Sequence, residues 1–257
     1  MNIYETKKLM EEGVKDIFYE NTISSFNKAF GKGAEWVELD VQITEDMTPI
    51  VFHDFFILEN DQKLPIHRMY VQDFNDFFKI DRPEDDLPTT FDKLILRKEK
   101  DLGLNIEIKY IPKKYIDLYK LYDVIPVDKY VDRIIEVLKN YNGKLMFSSF
   151  EKNVLLYSRL RLPNSKILLI IEKDPECPTY LEDSIKFCSK ASLDGLVMDC
   201  ESAELLLNTP DLMPLKKNLK FYVYGDDVSK KEPAKRFLDN GIDGIITDDI
   251  DAVISLN

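Results

Sequence analysis

Between Leu102 and Asp248, short apolar runs and amphipathic stretches take turns along the chain. The runs are 102–110, 144–149, 166–172, 194–199, 219–224 and 243–248. Between them apolar residues recur at helical spacing. In 127–141 the stripe is Val127, Val131, Ile134, Ile135, Leu138 and Tyr141; 151–161, 178–190, 202–208 and 230–240 follow the same rule. Strand alternating with helix predicts a parallel sheet with right-handed crossovers. The 257 residues provide ample core, and 44% hydrophobic with 32% charged residues is ordinary for a chain that folds in water. No low-complexity segment divides them, so 1–257 is expected to form one domain.

An earlier strand, 36–44, has a different character. Side chains alternate faces along a strand. Trp36, Glu38, Asp40 and Gln42 therefore share one face, and Val37, Leu39, Val41 and Ile43 the other. The apolar face suits packing against helices. The other face sets two carboxylates about 7 Å apart along the chain. A helix before this strand is capped by Asn21 or Thr22, carries Ile23, Phe26 and Phe30 on one stripe, and ends at Gly31 or Gly33. A turn at 45–49 leads to a strand over 50–55, which brings in His53-Asp54. The run 102–110 repeats the arrangement, with Asn105, Glu107 and Lys109 on one face and Leu104, Ile106 and Ile108 on the other. Three carboxylates and a histidine on neighbouring strands can hold a hard divalent cation with a proton donor beside it. An inward Glu–Lys ion pair filling a polar barrel centre is the alternative for 105–109.

The firm strands number seven, one short of an eight-stranded barrel. Either 50–55 closes the ring or the first strand is lacking, and a lacking strand leaves open edges that would favour dimerisation. Residues 1–19 are charged and show no strand pattern beyond Val14–Phe18. Residues 56–88 are irregular, acidic and proline-bearing, with a short helix near 71–79, and are expected to form a small insertion over the site.

The net charge of −12 argues against a general nucleic-acid or anionic-membrane surface. It leaves an anionic small substrate open, because a bound cation inverts the local field. The three cysteines, Cys177, Cys188 and Cys200, are widely spaced and form no CxxC, so reduced thiols are expected. No apolar run reaches the length of a membrane span and the N-terminus has no signal-type apolar core, so a cytoplasmic protein is expected.

Five blocks in order, Glu20-Asn21-Thr22, Gly33-Ala34, Val37–Val41, Thr44 and His53-Asp54, resemble the glycerophosphodiester phosphodiesterase family. Leu87-Pro88-Thr89, Asn105–Lys109, Phe147–Phe150, Tyr224–Asp227 and Gly241–Asp248 extend the resemblance over most of the chain, with the eukaryotic glycerophosphocholine phosphodiesterase branch the best match. The resemblance implies a TIM-type β/α barrel. It implies that Glu38, Asp40 and Glu107 bind Mg²⁺ or Ca²⁺, that Lys109 contacts the substrate phosphate, and that His53 is catalytic. Glu20, Ser148 and Asp226 are further candidates to line the site. The implied reaction is hydrolysis of a glycerophosphodiester, glycerophosphocholine above all, to glycerol 3-phosphate and an alcohol. The sequence departs from the family in one respect. The family's first strand ends in His-Arg-Gly, which supplies a second catalytic histidine and a phosphate-gripping arginine. Here the only histidines are His53 and His67, and His67-Arg68 precedes Met69. Three readings stay open: a shortened form of an active enzyme, a binding module that keeps the acidic trio, or an active enzyme with a substitute pair drawn from His53, Lys109 and His67.

Overall fold

Eight parallel strands close on themselves around one polar mouth. The computed structural model describes residues 2–4, 19–59, 62–79, 83–98 and 102–256. In chain order the strands are β1 (Asn2–Tyr4), β2 (Trp36–Ile43), β3 (Pro49–Val51), β4 (Phe56–Glu59), β5 (Gln62–Pro65), β6 (Thr89–Thr90), β7 (Gly103–Ile108), β8 (Leu145–Ser149), β9 (Lys166–Ile171), β10 (Gly195–Asp199), β11 (Lys220–Tyr224) and β12 (Gly244–Thr247). The helices are α1 (Ile23–Gly31), α2 (Val71–Phe77), α3 (Phe91–Arg97), α4 (Lys113–Tyr119), α5 (Val127–Val137), α6 (Lys152–Arg161), α7 (Tyr180–Lys190), α8 (Cys200–Asn208), α9 (Lys231–Asp239) and α10 (Ile250–Val253). Strand β2 pairs with β7, and the parallel series runs on through β8, β9, β10, β11 and β12 to β1, which pairs back to β2. This is the expected β/α barrel, with two corrections.

The barrel does not lack its first strand. Asn2–Tyr4 occupies that place, in register with Ile245–Thr247 on one side and Trp36–Val37 on the other. The open edge, and the dimerisation argued from it, therefore fall away. Three residues bounded by charge show no periodicity, so the strand is defined by its two neighbours rather than by its own pattern. The second correction concerns 50–55, which does not close the ring. Only Pro49–Val51 is strand, and it runs antiparallel to β2. The intervening turn is far too short for a parallel crossover, which needs a dozen residues or more. The possible strand Val14–Phe18 lies outside the described residues. Helix α4 has no counterpart among the sequence expectations. It starts after Pro112 and stops at Lys120, which adopts the left-handed conformation with φ of 55°.

The alternation of side chains divides the core in two. Val37, Leu39, Val41, Leu104, Ile106 and Phe147 face outward into the helical layer and are fully buried. Inside, Trp36, Met146, Leu168, Val197, Tyr222 and Ile246 fill the lower barrel. Trp36 is thus barrel filling, as its position below the acids predicts. Its ring lies where a side chain on Gly103 would be, since a Cβ there would stand 2.6 Å from the indole. Between β3 and β6, the β4–β5 antiparallel pair and α2 pack a small cluster of their own around Ile50, Ile57, Ile66 and Phe74. Among the described residues no helix is long and apolar enough to cross a membrane. All three cysteines are free thiols, and burial pushes that of Cys188 up to about 12, which fits a core filler.

The tight seat of Trp36 gives a first test. Gly103→Ala should destabilise the chain by about 1–3 kcal/mol through overpacking, read as a fall in the thermal unfolding midpoint; an unchanged midpoint would show that the lower barrel is loosely packed.

Candidate functional site

Backbone register assembles the site. Asp40 stands opposite Glu107, and Glu38 opposite Asn105, where β2 and β7 approach their C-terminal ends. The alternation that turns Val37 and Leu39 outward turns Glu38 and Asp40 into the barrel. Glu38, Asp40 and Glu107 are buried, and each offers a carboxylate oxygen within 4.8 Å of the others. Lys109, two residues beyond Glu107, reaches back over them. Its ammonium lies 3.3 Å from Glu107 and 3.6 Å from Asp40. It also sits 5.2 Å from the centre of the Phe55 ring.

The electrostatics follow from this crowding. Burial pushes the Glu107 carboxyl up; Lys109 opposes the shift, and the charge of Asp40 adds to it. Burial alone would lower the Lys109 ammonium, but Glu107, Asp40 and Glu38 outweigh it and hold the group protonated. Three carboxylates against one ammonium leave net negative charge in a dry place. An all-oxygen donor set of this kind fits a hard divalent cation such as Mg²⁺ or Ca²⁺.

Supports around the trio explain otherwise isolated sequence signals. Asn21 has a left-handed backbone with φ of 57°, a conformation asparagine tolerates better than most residues. Its side chain donates to Asp40 Oδ2 at 2.8 Å and accepts from the Asp40 backbone N–H at 3.0 Å. The next residue, Thr22, caps α1 in a capping box with Ser25. The triplet Glu20-Asn21-Thr22 therefore starts a helix and clamps a candidate ligand in one stroke. On the other side Tyr130 of α5 is fully enclosed. Its hydroxyl accepts from the Ile43 N–H at 3.1 Å and donates to the Lys109 carbonyl at 2.6 Å. The β2–β7 ladder has ended by then, at Val41 opposite Ile108, so this phenol ties the two strand ends together.

His53 sits at the rim, 44% exposed, with Nδ1 2.9 Å from Asp54 Oδ1. Its loop is held by Gln42, whose amide donates to the Phe52 and Asp54 carbonyls at 2.8 and 2.9 Å. The hydrogen bond to Asp54, helped by Asp40 and Glu20, overcomes partial burial and the opposing Lys109 and raises the imidazole to about 9. His53 is therefore a cation at neutral pH.

The other candidates fall differently. Glu20 acts on His53 through its charge. Ser148 is fully buried, with Oγ 3.2 Å from Asn105 Oδ1, and does not line the cavity; its neighbour Ser149 does. Asp226 is exposed and outside the cavity wall, because Gly225, with φ of 118°, leads from β11 into the short turn Asp226–Ser229. His67 follows Ile66 of the small cluster beyond β3, with its side chain largely enclosed and 3.7 Å from Asp123, and burial pushes its imidazole down. It does not line the cavity and is no partner for His53.

A cavity of about 690 Å³ opens above the trio. Residues that sequence reasoning passed over complete its wall: Lys113, Lys114 and Tyr115 of α4, then Glu151, Glu172 and Tyr224. Glu151 and Glu172 lie just past the C-terminal ends of β8 and β9, and Tyr224 ends β11. That position is the signal that would have found them, since barrel sites gather there.

Fold and site together define a β/α-barrel protein with a carboxylate cluster suited to a cation, flanked by a lysine and a protonated histidine. Residues 12–252 match the model of the glycerophosphoryl diester phosphodiesterase family, and the chain belongs to that family. It is similar to a glycerophosphocholine phosphodiesterase of Schizosaccharomyces pombe, 28% identical over 91% of this chain and 26% of that protein. The human glycerophosphocholine phosphodiesterase is 26% identical over 90% of this chain and 40% of its own length. This chain thus spans less than half the length of these eukaryotic relatives. A glycerophosphodiester phosphodiesterase of Caldanaerobacter subterraneus is 28% identical over 92% of this chain and 91% of its own. Among solved structures, an Oleispira antarctica phosphodiesterase in complex with the product sn-glycerol-3-phosphate superposes with a TM-score of 0.72 at 18% identity, covering 99% of this chain and 96% of its own. That likeness is one of fold.

Two outcomes test this geometry. Tyr130→Phe deletes both strand-end hydrogen bonds and should cost about 1–3 kcal/mol in denaturant unfolding. Second, an NMR titration of the imidazole should place His53 near 9, and Asp54→Asn should move it down. His53 adds stability in full below the unfolded value of about 6.5, and that contribution is lost as pH rises through the folded value. An Asp54→Asn titration unchanged from the parent would remove Asp54 as the cause.

Proposed function

We propose that the chain is a divalent-cation-dependent phosphodiesterase that hydrolyses glycerophosphodiesters, glycerophosphocholine in particular, to glycerol 3-phosphate and an alcohol. One observation carries this reading: a buried carboxylate trio, a lysine and a protonated histidine meet at the mouth of a family barrel, under a cavity of substrate size.

In this reading Glu38, Asp40 and Glu107 hold Mg²⁺ or Ca²⁺, and Asn21 keeps Asp40 aimed. The cation, when bound, offsets the charge that builds on a non-bridging phosphate oxygen. Lys109, fixed between Glu107 and Asp40 and held protonated, presents a second positive charge to the phosphate. A water oxygen bonds to phosphorus and gives up its proton to solvent, the P–O bond to the alcohol breaks, and the leaving oxygen takes the proton of the His53 imidazolium, which solvent then restores. Asp54 keeps that proton in place, and Glu20 adds to the effect. Phe55 and Tyr115 give the cavity an apolar side that excludes water.

The sequence also favours a second reading. The family's His-Arg-Gly does not occur in this sequence, and of its two histidines His53 lines the cavity and His67 does not. A barrel with the trio but a single proton-transfer group would act as a phosphodiester- or metal-binding module.

Turnover separates the two. Glycerol 3-phosphate release from glycerophosphocholine should require Mg²⁺ or Ca²⁺, stop with chelator, and drop about a hundredfold or more in Glu107→Ala. The rate should decline on the alkaline side as His53 loses its proton near 9. Cation binding by calorimetry without turnover would leave the binding module, and chelator-insensitive turnover would refute the role of the trio.

A further inference from the structure

The cavity has two halves of unlike chemistry. One half holds the acidic trio with Lys109 and His53. The other is walled where β8, β9 and β11 end. Phe150 and Glu151 follow β8 directly, Glu172 follows β9, and Tyr224 is the last residue of β11. Phe150 lines the cavity and keeps 38% of its surface exposed, which leaves part of its ring available to a ligand. The Tyr224 hydroxyl donates to Glu172 Oε1 at 3.1 Å, which fixes the carboxylate against a second aromatic ring.

Neither Glu151 nor Glu172 forms an ion pair with a lysine or arginine among the described residues. The neighbouring lysine, Lys173, is instead engaged by Glu201 at 2.7 Å. Glu151 stands before the first residue of α6, yet its side chain makes no capping hydrogen bond there. Two anionic groups without cationic partners and two aromatic rings thus face one apolar-lined space. Aromatic faces beside carboxylates are the surroundings in which a quaternary ammonium is held, by the ring quadrupole and by charge together.

The spacing agrees. Glu107 on β7 and Glu172 past β9 are two strands apart, roughly 10 Å at the spacing of neighbouring strands. A phosphate held at the trio, followed by the four bonds from phosphorus to the nitrogen of a phosphocholine, bridges such an interval. Lys113 and Lys114 lie on the α4 wall, on the side of Phe55 and Tyr115, and leave the β8–β9 wall acidic.

We propose that Glu172, Glu151, Phe150 and Tyr224 form a subsite for a cationic alcohol headgroup, of the quaternary-ammonium class, and so set which diester the barrel accepts. The subsite deepens the reading of the trio as a phosphodiester site and rests on it for its orientation.

The test compares glycerophosphocholine with glycerophosphoglycerol, whose leaving alcohol is neutral. In the parent chain with Mg²⁺, kcat/KM should favour the choline diester by about tenfold or more. In Glu172→Gln and in Phe150→Ala that ratio should fall about tenfold toward unity, chiefly through KM for the choline diester. General damage to the fold lowers both substrates and leaves the ratio intact, so the ratio is the readout. Calorimetric binding of the same two diesters in Mg²⁺ is measured in parallel. Preferential choline-diester binding that Glu172→Gln abolishes supports the subsite even if nothing is hydrolysed, which would sink only the hydrolase reading. Equal binding and equal turnover of the two diesters by the parent, or an unchanged ratio in both variants, overturns the subsite.

Discussion

The structure depends on keeping three carboxylates together out of water. At an effective dielectric near 20, pairs this close repel by on the order of 3 kcal/mol each. The two Lys109 contacts, at 3.3 and 3.6 Å, return roughly 5 kcal/mol each on the same scale. Repulsion and attraction nearly cancel, and net negative charge remains buried. Water would relieve it if the strands could separate. They cannot, because Asn21 holds Asp40 by two hydrogen bonds and Tyr130 ties the end of β2 to the end of β7. The supports turn an electrostatic cost into a preformed acidic cluster suited to a cation.

The same strands keep the cluster dry from below. Trp36 lies two residues before Glu38 on the same face, and the layer it forms with Met146, Leu168 and Tyr222 seals the barrel under the acids. Above, Phe55 covers the Lys109 ammonium, and Gln42 pins the loop that carries His53. One strand thus supplies floor, carboxylates and loop anchor at successive inward positions. This economy explains why 36–44 is so regular in sequence, whereas the α4 wall and the residues past β8 and β9 bear no regular pattern.

Much of the fold was legible because its causes are local. The outward face of β2, the stripe on α5 and the rhythm from 102 to 248 are periodicities, and periodicity survives in one dimension. The carboxylates were legible for the same reason, since alternation alone puts Glu38 with Asp40 and Glu107 with Lys109. What failed was of another kind. Asn2–Tyr4 is too short to show a pattern, and only pairing on both sides makes it a strand. Pro49–Val51 reads as a strand but says nothing of direction until the length of its turn is weighed. Ser148 and Asp226 were placed at the site by the motifs around them, yet Ser148 is fully enclosed on the inner face, bonded to Asn105, and Gly225 leads Asp226 away.

The sequence by itself determined a parallel β/α architecture, an apolar outer face for each strand, and three acids with a lysine on inner faces, because each is a matter of spacing along one strand or helix. Tertiary structure decided that β1 closes the ring, that Asp40 stands beside Glu107, that Tyr130 and Asn21 brace them, and that Glu151, Glu172 and Tyr224 share one cavity. Those are relations between segments far apart in the chain, set by register and barrel closure, and no local pattern encodes them.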